Sequence, residues 1–415
     1  MPDRNWMTCQ TPAFRLMIAT SWLAPEEWKT KQDETIQAAC SAGIDWNEYL
    51  RLVHRHRIPA LAWAALKRVS YMEIPKNVAQ SLRKASDDCR RLAMSNLFHL
   101  SKILKALQFN RIPVLVLKGP LLSQKLYGDP GLRHSKDIDL EVAAEDMQRA
   151  SRCLQEIGYR MDKDYELLTP RQWKALQRYE HDLSFFCSNG GPSLELHWRH
   201  SWDLPVDSRY SWDQQPTSEW QGCCYHTMSA VDEVIYLSSH GATHLWFRAK
   251  WLGDLARIHA NGKIDWKAAL HQAQKTHQEL PLLGVLRLLE TLYGVPMPVF
   301  SENIWAQLPA RLVREPLHSL IVMEDRERTD VFMWMRSRIH AILYNLQLMP
   351  YKHWRRHIEE IAYSREDFIQ FPIPDFFYWA YPLLRPVFWL IRRGRPLRQH
   401  NAESVRSAQR RKAML

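Results

Sequence analysis

An α+β fold is expected, a small mixed sheet set between helical regions, and three stretches of the sequence carry that expectation. Residues 114–117, Val-Leu-Val-Leu, form a short apolar run, half of it β-branched, closed by Lys118-Gly119-Pro120. That pattern suits a buried strand. Residues 137–142, Asp-Ile-Asp-Leu-Glu-Val, alternate polar and apolar as a half-buried strand does. On either side, apolar residues recur at helical spacing, as in Leu82, Cys89, Leu92, Leu97, Leu100, Ile103, Leu104 and Leu107.

Taken in order, residues 1–110 read as helical. Pro25-Glu26-Glu27 resembles a helix start, with proline early and acids in the first turn. A long helix over 77–109 ends where Asn110-Arg111-Ile112-Pro113 breaks the period. After the 114–117 strand, Pro120 fits the first turn of a helix, where its missing N–H does no harm. That helix carries Leu121, Leu122, Leu126 and Tyr127, and Gly128-Asp129-Pro130-Gly131 is a turn. Residues 144–158 read as a helix closed by Gly158. Two further strands are expected at 181–186 and 193–198, joined by Ser188-Asn189-Gly190-Gly191-Pro192. Residues 112–200 thus run strand, helix, strand, helix, strand, strand. Beyond 228 helices return. Ser229 is a candidate N-cap with Asp232 and Glu233 in the first turn, and two helices with a break near 247 are expected up to residue 260. The expected division is an N-terminal helical region over 1–110, a core over 111–227, a helical domain over 228–370, and an aromatic segment with a basic tail over 371–415.

The bulk properties bound the partners. A chain of 415 residues is long for one compact domain, and 46% apolar residues allow a sizeable core. A net charge of +11 favours anionic partners: nucleotides, nucleic acid or an anionic membrane surface. Seven cysteines, with no Cys-x-x-Cys pair, indicate neither a disulfide framework nor a zinc site. The first 19 residues lack the pattern of a signal peptide, so a cytoplasmic setting is expected. No run reaches the roughly 18 apolar residues of a membrane span. The nearest, residues 376–391, is interrupted by Pro382, Arg385 and Pro386. Its aromatics and the basic run behind it read either as an interfacial element, placing the chain at the membrane periphery, or as a helical hairpin packed on its domain.

The candidate chemistry lies between the two strands. Asp137 and Asp139 are two residues apart, so both carboxylates leave the strand on one face. Adjacent acids suit a hard divalent cation such as Mg²⁺. Upstream, Gly119 lets the backbone approach a ligand, and the helix it opens offers unpaired N–H groups to phosphate. Lys118 and Arg133 supply cations, Arg133 toward phosphate or toward Asp129 or Asp137. In Leu194-Glu195-Leu196-His197, Glu195 and His197 share a face.

The stretch Leu117-Lys118-Gly119-Pro120, followed by the run from Leu126-Tyr127-Gly128-Asp129-Pro130-Gly131 through Leu132-Arg133-His134-Ser135-Lys136-Asp137-Ile138-Asp139-Leu140, resembles the signature of an uncharacterised bacterial nucleotidyltransferase family of the DNA polymerase β-like superfamily. Leu196-His197-Trp198 resembles a further element of that family, and His240, His244, Trp251 and Asp254 resemble a later helical one. The likeness spans roughly residues 80–260. It implies transfer of a nucleoside monophosphate from an NTP, ATP first among them, to an acceptor that could be a peptide, a small molecule, a sugar or a protein, with release of pyrophosphate. It further implies Mg²⁺ or Mn²⁺ held by Asp137, Asp139 and Glu195, the last as third acid. The nucleotide would meet Lys118, Gly119, Arg133, Lys136 and His197. For His197, binding phosphate, orienting Glu195 and filling a polar edge all remain open. His240, His244 and Asp254 fit either a polar face bordering the cleft or ordinary helix packing. The superfamily pattern has Gly-Ser where this chain has Gly119-Pro120, so the phosphate-holding hydroxyl is absent and Lys118 is its expected substitute. The rival expectation is a decayed core that only binds nucleic acid or a membrane surface.

Overall fold

A computed structural model describes residues 6–69, 74–161, 168–199, 215–322, 331–348 and 362–394, with 351, 354, 358 and 359. The expected basic tail from residue 395 onward lies outside the described residues. The chain forms two compact units, one of residues 1–162 and 181–354, the other of residues 163–180 and 355–415.

The first unit opens with helices α1 (Pro12–Ala19), α2 (Glu26–Ser41), α3 (Trp46–Arg55), α4 (Pro59–Arg68) and the long α5 (Lys76–Phe109). The expected start at Glu26 is observed, as is the stop at Phe109, where Asn110 ends the helical repeat. Strand β1 (Leu115–Val116) leads through Gly119 into α6 (Pro120–Tyr127), and β2 (Asp137–Glu141) follows. Then come α7 (Met147–Glu156), β3 (Tyr159–Met161), β4 (Asp182–Cys187), β5 (Ser193–His197), β6 (Thr217–Trp220) and β7 (Cys223–His226). These strands form one mixed seven-stranded sheet in the order β3-β4-β5-β2-β1-β7-β6. The pairs β1–β2, β3–β4, β4–β5 and β6–β7 are antiparallel, whereas β2–β5 and β1–β7 are parallel. The fold is α+β, as expected. Ile138, Leu140, Leu183, Phe185, Leu194 and Leu196 bury one face of the central strands. The period-2 alternation turns the acids of β2 and β5 to the other face.

Helix α5 packs on α4, α7, β2 and β7. The remaining helices are α9 (Ala230–Thr243), α10 (Ala249–Ala260), α11 (Trp266–Lys275), α12 (Glu279–Tyr293), α13 (Glu302–Ala306), α14 (Arg311–Val322) and α15 (Val331–Leu348). Ser229 caps α9 by accepting from the Asp232 N–H at 3.1 Å, and the break before α10 falls at residues 244–248. There Leu245 and Trp246 both adopt positive φ of 52°, a conformation side chains rarely take. A single apolar core joins α1–α6 to α9–α12 and α14 through residues such as Leu16, Tyr49, Leu115, Leu252 and Leu288. Strands β3, β6 and β7 were not expected from sequence.

The second unit contains α8 (Pro170–Tyr179), α16 (Arg365–Gln370), a 3₁₀ turn over Asp375–Ala380, and α17 (Tyr381–Gly394). Thr169 and Gln172 form a capping box at the start of α8. Thr169 also donates to the Asp375 carboxylate at 2.6 Å, and Gln172 to the Tyr381 hydroxyl at 3.1 Å. Helix α8 lies within the span expected for the sheet core, yet it joins the C-terminal segment. No described helix is long and apolar enough to cross a membrane.

Candidate active site

The site is built on the parallel pair β2–β5. Its register sets Asp137 beside Ser193, Asp139 beside Glu195, and Glu141 beside His197. Every one of these side chains leaves the sheet on the same face. Parallel pairing of two strands over fifty residues apart therefore assembles a row of acids that no local sequence window contains.

Asp139 is the centre of the row and only 1% exposed. The Lys118 Nζ lies 3.1 Å from its Oδ1. His197 Nε2 stands 3.8 Å from Asp139 Oδ1 and 3.7 Å from Glu195 Oε2, distances of ion pairing rather than hydrogen bonding. Neither Asp139 oxygen and neither His197 nitrogen has a hydrogen-bond partner among the described residues. Lys118 alone stands close to Asp139 Oδ1, so the buried row keeps polar capacity that a ligand can use.

The electrostatics follow from this crowding. Burial pushes the Asp139 carboxyl up, but the Lys118 ammonium and then His197 outweigh it and hold the carboxyl well below its ordinary range. Burial alone would lower Lys118, yet Asp139, Tyr236, Glu195 and Asp137 together raise it. His197 is disfavoured as a cation by burial and favoured by Asp139, Glu195 and Asp182, which leaves it raised to about 10. Glu195 is drawn down by His197, but burial and the Asp139 charge carry it above its usual value. The resting site therefore holds two cations, Lys118 and His197, among its acids.

Asp139, Glu195 and His197 present one ligand atom each within 4.8 Å of one another, the spacing of a metal site. Asp137 is not in that group. It is partly exposed, one pleat along the same face, and adds its charge to Lys118 and Glu195. The two carboxylates offer the oxygen donors a hard divalent cation prefers, and such an ion would compete with the Lys118 ammonium for Asp139 Oδ1.

Gly119 holds φ of +96° and ψ of −151° as the N-cap of α6, a region open essentially to glycine alone. Pro120 takes the first helical position as expected. The turn between α6 and β2 is fixed from all sides. Asp129 accepts from the Gly131 N–H at 2.8 Å and pairs with Arg90 at 3.1 Å. Ser123 donates to the Asp129 carbonyl at 2.7 Å and accepts from the Arg133 N–H at 3.0 Å. The amide of the buried Asn96 donates to the Ser135 carbonyl at 3.1 Å.

The expected phosphate contact at Arg133 is not what the structure presents. Its guanidinium is 2% exposed and its Nε pairs with Asp254 Oδ2 at 2.7 Å, so a phosphate arriving from solvent does not reach it in this conformation. The expected alternative pairings with Asp129 and Asp137 give way to Asp254 on α10. Lys136 is exposed at the edge of β2. His240 is half-buried, desolvation and then the Lys118 charge hold it well below the ordinary imidazole range, and its ring lies 5.3 Å from Trp251 and 4.8 Å from the ring of His244. Sequence reasoning passed over Glu141, Tyr236 and Lys250. Glu141 was legible as the third acid of the alternating run. Tyr236 carries an electrostatic coupling to Lys118 and Asp139 that only the packing of α9 reveals. Lys250 donates to the His134 carbonyl at 3.2 Å, and burial with Arg133 and Arg57 lowers it to about 7.

Among known proteins, no curated sequence matches the chain. The solution structure of the antibiotic-resistance factor ANT(2'')-Ia aligns over 48% of this chain and 95% of its own at 15% identity, with a TM-score of only 0.27. A family profile described as uncharacterised nucleotidyltransferase matches residues 42–294, which takes in α3 through α12 and every residue of the site. The chain belongs to that nucleotidyltransferase family.

Proposed function

We propose that the protein transfers a nucleoside monophosphate from an NTP, ATP in the first instance, to an acceptor, and that the row Asp137, Asp139 and Glu195 is where it does so. The observation that carries this reading is the register of Asp139 with Glu195 on adjacent parallel strands, with Lys118 Nζ 3.1 Å from Asp139. An acceptor oxygen or nitrogen attacks the α-phosphorus, the bond to the bridging oxygen of the β-phosphate breaks, and pyrophosphate leaves with that electron pair. Glu195 takes the acceptor's proton, its partly exposed carboxylate standing beside Asp139 within reach of an arriving acceptor. His197, protonated beside it, orients Glu195 and offsets charge. Lys118, the N–H groups at the start of α6 beyond Gly119, and Lys136 hold the phosphates. Arg133 keeps the turn in place from beneath. Asp137, Asp139 and Glu195 would hold Mg²⁺ or Mn²⁺, which supplies neutralisation of charge on the triphosphate and a more acidic acceptor.

The acceptor class (peptide, small molecule, sugar or protein) is read by labelling. The full-length protein is incubated with each α-labelled NTP, Mg²⁺ or Mn²⁺, and a cell extract. Expected is transfer of label to one class of molecule with release of pyrophosphate, abolished in Asp139→Asn. Absence of transfer together with absence of Mg-NTP binding by calorimetry would sink the reading and leave a core that has lost catalysis.

A further inference from the structure

We propose that the outer face of α17 is a docking surface for an anionic lipid membrane, on which the helix lies flat. The proposal does not rest on the nucleotide-transfer reading, because it uses a different part of the chain.

Helix α17 is apolar on two sides. Its inner side packs within its own unit: Tyr381 and Phe388 are buried, Phe388 stacks on Phe371 with ring centroids 4.3 Å apart, and Arg385 pairs with the buried Asp367 at 3.0 Å. Its outer side carries Leu383, Leu384, Val387, Leu390 and Ile391, at spacings i, i+1, i+4, i+7 and i+8. That spacing is one continuous stripe of an α-helix. All five are exposed, Leu383 at 69% and Leu390 at 61%. The preceding 3₁₀ turn adds Phe376, Phe377 and Trp379, also exposed. A helix apolar all round is ordinarily enclosed, and a contiguous exposed apolar stripe marks an interaction site.

Charge selects the occupant. After Ile391 the sequence holds eight lysines and arginines against the single acid Glu403. An apolar stripe with aromatic residues at one end and a cationic run at the other is the composition of an interfacial helix drawn to anionic headgroups. The described helix has 14 residues, which reach about 21 Å against a hydrocarbon core of about 30 Å, so it is too short to span.

The test is flotation of the full-length protein with vesicles of equal parts phosphatidylcholine and phosphatidylglycerol, and with phosphatidylcholine alone. Expected are flotation with the mixed vesicles, its weakening at high salt, and a loss of about tenfold or more in the Leu383→Glu, Leu390→Glu double variant, which removes two large apolar contacts. Both positions are exposed, so an unchanged melting curve is expected and shows that the loss is not unfolding. Val299→Glu, at another exposed apolar position, serves as the control and floats like wild type. Failure of the wild-type protein to float, or equal flotation by the double variant, overturns the proposal. So does a wild-type dimer that the double variant dissolves without any vesicle binding, since the stripe would then be a self-interface.

Discussion

Arg133 Nε lies 2.7 Å from Asp254 Oδ2, with the two side chains 1% and 0% exposed, and this pair ties the turn before β2 to helix α10. Tyr127 donates to the other oxygen of the same carboxylate at 3.2 Å, so α6, the turn and α10 share one buried anion. Its consequence is positional. The turn runs directly into Asp137 and Asp139 on β2. Asp254→Ala strands a guanidinium in the interior, and a loss of about 3–5 kcal/mol in denaturant unfolding is expected. The double variant Arg133→Met, Asp254→Leu removes both charges and should recover much of that loss. If the single and double variants unfold alike, the pair is not the anchor.

Lys118 and Asp139 form the second ion pair, and this one faces the site. Lys118→Met leaves Asp139 without its closest cation, so the carboxyl's pKa rises and the lysine's phosphate contact disappears. Nucleotide binding by calorimetry with Mg-ATP should weaken about tenfold or more, the scale of one hydrogen bond to a charged group. Unaltered affinity would place the triphosphate elsewhere on the molecule.

Gly119 makes a sharper distinction between strain and contact. A Cβ there would meet only the Ser135 hydroxyl, at 3.6 Å, so space is not the obstacle. The obstacle is φ of +96°, and Gly119→Ala should cost about 1–3 kcal/mol of backbone strain. If the chain relaxes by rotating this residue, the first N–H groups of α6 turn away and nucleotide binding falls with little further loss of stability. A variant with wild-type melting and wild-type affinity would show that the positive φ is dispensable.

What could be read in advance divides by sequence distance. The strands at 114–117 and 137–142, the helix over 77–109 and the Ser229 cap were legible because period, breaker and cap are local patterns. Strands β6 and β7, Thr-Ser-Glu-Trp and Cys-Cys-Tyr-His, were not, since four residues without apolar alternation carry no period. Helix α8 was hidden because its partners, Asp375 and Tyr381, lie some two hundred residues on. Within the site, Asp137 and Asp139 announced themselves by spacing. The facing of Glu195 and His197 onto Asp139 is a matter of register between distant strands, and Arg133 with Asp254 is a contact across 121 residues. Tertiary pairing decided each of these, and it set Arg133 against Asp254 rather than toward phosphate, Asp129 or Asp137.

The buried histidines give the protein two opposed pH limbs. His56 is enclosed, accepts the Ala249 N–H at 3.1 Å on Nδ1, and is held down to about 3 by burial and by Arg55 and Arg248. Unfolded, it titrates near 6.5, so below that pH the unfolded chain takes up a proton the native one refuses. Its contribution is complete above about pH 6.5 and is lost as the pH falls toward 3, at up to about 1.4 kcal/mol per pH unit. His134, lowered to about 4 by burial, Lys250 and Arg57, acts in the same direction. His197 runs the other way: raised to about 10, its contribution is complete below about 6.5 and is lost as the pH climbs through 10. Lys250, lowered to about 7, opposes His197 over the same alkaline window, so denaturant midpoints measured from pH 4 to 10 should fall on acidification below about 6.5 and change far less between 7 and 10. His56→Asn can keep the acceptor without the titration, so it should flatten the acid limb by about one proton's slope and leave the alkaline limb unchanged. An acid limb as steep in the variant as in the wild type would assign the loss to other groups.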